Sequence, residues 1–126
     1  MFQNNMNYAI CIRRTDGFCT ITYRNQIGNR EDVFQLINLD QNGQLSTTEN
    51  QAGAEIYNCY EDFIAVNFVR LCGDKLNDGS RSANFNENTP ITSYMNGPIV
   101  VPFKTNSKVV GRGFKLYYSQ EKCIYV

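Results

Sequence analysis

The fold is decided by the stretch Cys59-Tyr60-Glu61-Asp62-Phe63-Ile64-Ala65-Val66, followed after four residues by Leu71-Cys72-Gly73. The apolar and aromatic residues between the two cysteines are typical of a short β-strand. This spacing suits a disulfide between Cys59 and Cys72, which would tie the entry of the strand to the loop that leaves it. One acid, Asp62, lies just inside the first cysteine of the bracket.

Length and charge predict one folded domain over residues 1–126 with neither a nucleic-acid partner nor a membrane span. The chain has 126 residues and 42% hydrophobic residues, which is enough for one core and too short for two. Lys plus Arg and Asp plus Glu are balanced at 12 each, so the basic surface that nucleic acid requires is missing. No apolar run approaches the ~20 residues that cross a bilayer.

The chain contains no histidine, and this argues against an enzyme. Histidine is the usual general base of nucleophilic triads and the commonest metal ligand. Glu61 and Asp62 are adjacent on a predicted strand, so their side chains point to opposite faces and do not form a catalytic carboxylate pair. We therefore expect no catalytic residues.

Five cysteines without a Cys-x-x-Cys motif favour disulfides over zinc. Disulfides persist in oxidising compartments, so the sequence predicts a secreted, extracellular protein. The odd number leaves one cysteine unpaired, paired to another chain, or without its partner.

Strand and turn signals alternate along the chain and predict an all-β antiparallel sandwich or barrel. Residues 8–13 form the first predicted strand, a turn follows at 15–17, and residues 18–24 return as a second strand. Residues 31–37 are ambiguous between a short helix and a strand, and their alternation favours a strand. Further strands are expected at 57–68, 91–94, 99–105 and 113–119, with long polar loops at 38–58 and 74–89.

The segment 38–49 is similar to an EF-hand calcium loop, because oxygen-bearing residues stand at its positions 1, 3, 5, 9 and 12 and glycine stands at position 6. Its first position is Asn38 instead of aspartate. Residues 50–53 cannot begin an exit helix with an apolar face. A polar surface loop is therefore the favoured interpretation, and an EF-hand calcium site is the alternative.

The chain resembles a CUB domain over residues 7–123, nearly its whole length. The family is characterised by a cysteine, two residues and Asp-aromatic, then a Cys-Gly, an apolar strand and a Gly-Phe-x-x-x-Tyr strand. The matching elements here are Cys59-x-x-Asp62-Phe63, Cys72-Gly73, residues 99–106 and Gly113-Phe114-Lys115-Leu116-Tyr117-Tyr118. Upstream, residues 10–13 and 17–23 are similar to secreted arthropod CUB-like proteins. The resemblance implies a CUB-like jelly roll.

The resemblance also implies a missing N-terminal part, because the family has a further cysteine upstream of the Cys11 strand. Cys11 would then be the unpaired thiol, expected to be buried, or a bridge between two copies in a mature chain. Cys19 is expected to pair with Cys123, which would pin the last strand to the early hairpin. A bond between Cys11 and Cys19 is the competing arrangement.

A subset of the family binds calcium through three acids, and this chain matches that set in part. Asp62 stands at the second position, Asn106 replaces the third acid, and the upstream acid is not assigned. Any calcium site at Asp62 and Asn106 is therefore expected to be weak, and no other cofactor is expected.

The resemblance predicts a secreted, non-enzymatic interaction module that binds an extracellular protein or glycan through its loops. The loops at 38–58 and 74–89 and the end near Asp62 are the candidate surfaces. A second copy or a neighbouring domain is a further candidate partner. The alternatives are a calcium-binding protein built on 38–49 and a structural component of an extracellular assembly.

Overall fold

The computed structural model describes residues 7–94, 99–105 and 113–124, and these are almost entirely β-strand and loop. No helix in these ranges is long and apolar enough to cross a membrane. In chain order the elements are β1 (Asn7–Ile12), β2 (Phe18–Arg24), β3 (Gln26–Ile27), β4 (Arg30–Glu31), β5 (Phe34–Gln35), β6 (Ala52–Ala54), α1 (Glu55–Asn58), β7 (Phe63–Val66), β8 (Val69–Gly73), β9 (Ile91–Tyr94), β10 (Ile99–Lys104), β11 (Gly113–Phe114) and β12 (Tyr117–Lys122).

Two antiparallel sheets contain most of these strands. The larger has the order β1-β10-β7-β8-β6, and the smaller has the order β12-β2-β9. Two short pairs, β11-β5 and β3-β4, complete the described strands. The predicted antiparallel β-sandwich is confirmed.

The core lies on the inward faces of the strands, as the alternation in β10 shows. Ile99, Val101 and Phe103 are buried, while the residues between them are exposed. The ring of Phe103 lies 5.0 Å, between centroids, from that of Phe114, which in turn lies 6.3 Å from Phe34. Burying rings of this size contributes much of the free energy that holds the layers together.

The predicted hairpin between residues 8–13 and 18–24 is wrong. β1 pairs along its whole length with β10, whereas β2 pairs with β12 and β9. The turn itself is present: Gly17 has a φ of +85°, and Phe18 N donates to Thr15 O at 3.1 Å. It therefore carries the chain from one sheet to the other instead of joining neighbours.

Three further boundaries differ from the prediction. The segment 38–58 contains β6 and the single turn α1, so it is not one long loop. The strand expected over 57–68 begins at Phe63 and ends in a tight turn at Asn67 and Phe68, whose φ angles are +56° and +64°. The last strand is divided into β11 and β12, because Gly113–Phe114 pair with β5 whereas Tyr117–Lys122 pair with β2 in another sheet. The ambiguous segment 31–37 includes strand β5, as its alternation favoured.

Candidate functional site

Asp62 is fully buried at the start of β7, and the side chain of Asn38 organises the turn that leads to it. Asn38 Oδ1 accepts the backbone N–H groups of Glu61 and Asp62, each at 2.8 Å. Asn38 Nδ2 donates to Asp62 O at 2.8 Å. One amide therefore satisfies three backbone groups, and the two that belong to Asp62 are buried and would each cost free energy if left unpaired.

This arrangement is incompatible with an EF-hand over 38–49. The first ligand of such a loop must direct its oxygen at calcium, but Asn38 Oδ1 accepts the hydrogen bonds from 61–62. Leu39 pairs with Leu45 in an isolated β-bridge, and Asp40 Oδ1 accepts the N–H groups of Asn42 and Gln44. No helix flanks this loop within 7–94, where α1 spans only Glu55–Asn58.

The described residues do not assemble the calcium site that the resemblance implied. Across 7–94, 99–105 and 113–124, no three acid, cysteine or histidine side chains form a cluster that could hold a metal ion. Asn106 lies outside the described residues. Asp62 is the matched acid, and one carboxylate is too few for a Ca²⁺ ion that takes six to eight oxygen ligands.

Calorimetric titration of the protein with CaCl₂ should therefore give no heat of binding or a dissociation constant in the roughly millimolar range of weak extracellular sites. Glu49→Gln and Asp62→Asn are the matched variants. Submicromolar binding that Glu49→Gln abolishes and Asp62→Asn leaves unchanged would contradict this prediction and restore the EF-hand.

Close to the Asn38 turn, residues 46–50 form a ridge that is seated on β6. A Cβ built on Gly53 would lie 2.5 Å from Thr47 Oγ1 and 2.7 Å from Cys72 Sγ, so only glycine allows the ridge to approach this closely. Ser46 Oγ donates to Asn58 O at 2.7 Å and fixes the other side of the ridge.

A cleft of about 370 Å³, the Asp74 cleft, opens on one side of the ridge. Ile37 and Leu45 contribute apolar surface, and Glu49 and Asp74 contribute carboxylates. Asp74 is held in place because its Oδ1 accepts Gln35 Nε2 at 3.1 Å and its Oδ2 accepts a ridge N–H, that of residue 50, at 2.7 Å. Among the described residues, the lining contains no lysine or arginine.

A second cleft of about 460 Å³, the Asp78 cleft, lies on the opposite side of the same ridge. Its described lining also contains two acids, Glu55 and Asp78, and no basic residue. The backbone is strained beside both clefts, since the φ angles of Asn50 and Glu55 are +62° and +72°. Left-handed conformations of residues other than glycine cluster at functional sites.

The two clefts lie largely on the segments that the sequence analysis proposed as binding surfaces, 38–58 and 74–89, but the sequence analysis did not identify the acids that line them. Glu49, Glu55, Asp74 and Asp78 are separated by up to 29 positions and form no motif. Asp74 immediately follows the Cys-Gly of the opening stretch, and this was the one local signal available. The pairing of β6 with β8 is what brings the four acids to one ridge.

The structure joins Cys59 to Cys72 and Cys19 to Cys123, with Cα–Cα distances of 5.6 and 4.8 Å. These are the two pairs predicted from the sequence. The first joins the segment before β7 to β8 beneath the ridge, and the second joins the beginning of β2 to the end of β12 within one sheet.

The expectation that Cys11 is buried is wrong, because its thiol is free and exposed. Cys11 lies on β1, the edge strand of the larger sheet, opposite Val100, which is also exposed. Its neighbours Ile10 and Ile12 pack against the core, so the strand alternation turns Cys11 outward. A bridge between two copies through Cys11 stays a prediction.

Comparison with known proteins gives one match. A protein-family model described as an animal CUB domain matches residues 2–121, which is most of the chain. No curated protein and no solved structure matches it.

Proposed function

Because the chain belongs to the animal CUB domain family, whose members serve as protein-interaction modules, we propose that it is a secreted, non-enzymatic binding domain. Its partner is an extracellular protein that presents lysine or arginine side chains. The binding surface is the ridge at 46–50 with the Asp74 and Asp78 clefts on its two sides. The two disulfides support an oxidising compartment.

The observation that carries this proposal is the sign of the charge in both clefts. In the part of the chain that the structure describes, each cleft combines two carboxylates with no basic residue, although the chain as a whole is neutral. A lysine or arginine side chain has an aliphatic stem and a cationic head. The side chains of Ile37 and Leu45 and the carboxylates of the Asp74 cleft offer surfaces that complement these two parts.

The test is a titration with a short peptide that contains two lysines, followed by amide chemical shifts and calorimetry. We expect saturable shifts at residues 46–50 and 73–74, and binding that weakens as salt is added, because exposed charges are screened. Glu49→Gln and Asp78→Asn, one acid from each cleft, should each weaken binding roughly three- to tenfold.

Two controls make this result specific. The same peptide with glutamine in place of lysine should not bind. Asp16→Asn removes an exposed acid from the turn between β1 and β2, which lines neither cleft, and should leave the affinity unchanged. Equal binding of the lysine and glutamine peptides would contradict the proposed function.

A further inference from the structure

A small pocket of about 170 Å³ lies where β2 ends and the chain enters β9, and its character is opposite to that of the two clefts. Arg24 is the charged residue of its lining, which otherwise consists of polar residues, a glycine and a proline: Asn25, Gln26, Gly28, Asn88, Thr89 and Pro90. No carboxylate of residues 7–94, 99–105 or 113–124 lines this pocket.

Arg24 has no carboxylate partner in the described part of the chain, where the ion pairs are Arg30–Asp32 and Lys75–Glu31. Asp32 is engaged elsewhere: the hydrogen bond from Tyr117 Oη, more than the neighbouring Arg30, holds the pKa of Asp32 below its ordinary value. A half-buried guanidinium without a partner is unusual, because arginine is most stable where its planar fork meets an oxyanion.

Glu121 is the other acid near Arg24, and it too has its own partners. Its Oε1 accepts the hydroxyls of Thr20 and Thr22, at 3.0 and 2.7 Å, and its Oε2 accepts that of Ser119. Burial raises the pKa of Glu121, but these hydrogen bonds, with a smaller effect of Arg24, bring it below its ordinary value. Glu121 therefore does not form an ion pair with Arg24.

Thr89 provides a second observation that points to a ligand, and it is independent of Arg24. It is 9% exposed, and its Oγ1 is buried with no hydrogen-bond partner among the described residues. A buried hydroxyl in this state is destabilising unless a ligand or a water completes it. Thr89 lines the same pocket as Arg24, so its hydroxyl and the guanidinium are available to one occupant.

The pocket is also built rigidly. Asn88 Oδ1 accepts Asn25 Nδ2 at 3.0 Å and Leu76 N at 2.8 Å, and Thr89 N donates to Leu76 O at 2.7 Å. Because both hydrogen bonds use the oxygen of the Asn88 amide, its Nδ2 is left as a donor with no acceptor in the described part of the chain. Leu76 and Asn25 are buried, so these contacts anchor the pocket wall to the core.

We propose that this pocket binds a carboxylate of a partner, with Arg24 as its cation and the Thr89 hydroxyl as a further hydrogen-bond donor. The volume accommodates one such group with the carbon atoms that carry it. Such a carboxylate is supplied either by an acidic side chain or by an acidic sugar. This pocket shares no lining residue with the two acidic clefts. A negative result for one proposal therefore leaves the other standing.

The experiment is a titration of the ¹⁵N-labelled protein with sodium acetate, N-acetylglutamate methylamide and methyl glucuronide, at constant ionic strength. We expect saturable shifts at residues 25–28 and 88–89, with dissociation constants on the order of 1–10 mM for probes of this size. Tighter binding of the glutamate derivative identifies a protein side chain as the source, and tighter binding of the glucuronide identifies an acidic sugar.

Two variants and one control decide the assignment. Arg24→Gln should weaken binding at least tenfold, and Arg14→Gln, the same change on the exposed segment between β1 and β2, should not alter it. Thr89→Val should weaken binding several-fold while leaving Tm unchanged or higher, because it removes a hydroxyl that has no hydrogen-bond partner in the described part of the chain.

Three outcomes would overturn the proposal. The first is the absence of saturable shifts at the pocket with any carboxylate. The second is a Thr89→Val protein that is less stable and binds as well as the parent, since this identifies a structural hydroxyl. The third is equal binding of sodium sulfate, which would show that the pocket responds to negative charge alone.

Discussion

Replacing Cys19 and Cys123 together with serine should lower the free energy of unfolding by about 4–5 kcal/mol. The bond joins positions 104 residues apart, so it restricts nearly the whole unfolded chain. Loop-closure entropy for a loop of about 100 residues is worth about 4.7 kcal/mol. Urea denaturation followed by far-UV circular dichroism measures this loss directly, provided that unfolding is two-state.

The matched control is Cys11→Ser, which removes an exposed thiol that forms no bond. It should change the free energy of unfolding by less than about 0.5 kcal/mol, as surface substitutions usually do. Non-reducing peptide mapping of the parent protein should recover Cys11 as the free thiol. A double variant as stable as Cys11→Ser, or mapping that joins Cys11 to Cys19, would contradict the pairing.

Gly73→Ala should destabilise the protein by about 3–4 kcal/mol, since two costs add at this position. Its φ is +83°, a left-handed conformation that disfavours any Cβ. A Cβ there would also lie 2.6 Å from Gln51 O and 2.8 Å from Gly53 N, and both are backbone atoms that cannot rotate away. The β8 edge that supports the ridge would have to shift.

Gly17→Ala measures the cost of the left-handed backbone conformation without the clash. Gly17 has almost the same φ, +85°, but a Cβ built there meets nothing within 4 Å. Its loss should be about 1–2 kcal/mol, the left-handed penalty alone. Equal losses for the two variants, measured by thermal or urea unfolding, would show that the clash at Gly73 is relieved at little cost.

The sequence predicted those parts of the fold that local pattern controls. The alternation of β2 and β10 was sufficient to predict strands, and the bracket from Cys59 to Cys72 was sufficient to predict a disulfide. The prediction from sequence was wrong about which strands pair, because alternation identifies the buried face of a strand but not the neighbouring strand. For this reason β1 was assigned to a hairpin with β2, although it pairs with β10.

Strand β6 illustrates a second limit. Its residues, Ala52-Gly53-Ala54, have low intrinsic preference for strands, so no local signal marks them. They form a strand because small residues alone fit between the ridge and the Cys72 side of the disulfide. The two acidic clefts depend on this packing, and so no reading of the sequence by segments could assemble them.

The bond between Cys19 and Cys123 also governs how far the molecule can be stretched. A pull on the chain from outside these two residues is transmitted through the bond and bypasses everything between them. The 104 positions that it spans would add roughly 370 Å of extended chain if the bond were absent. Under mechanical load, the chain cannot extend by this length until a reductant breaks the disulfide. Redox conditions rather than force therefore determine the maximum extension of the chain.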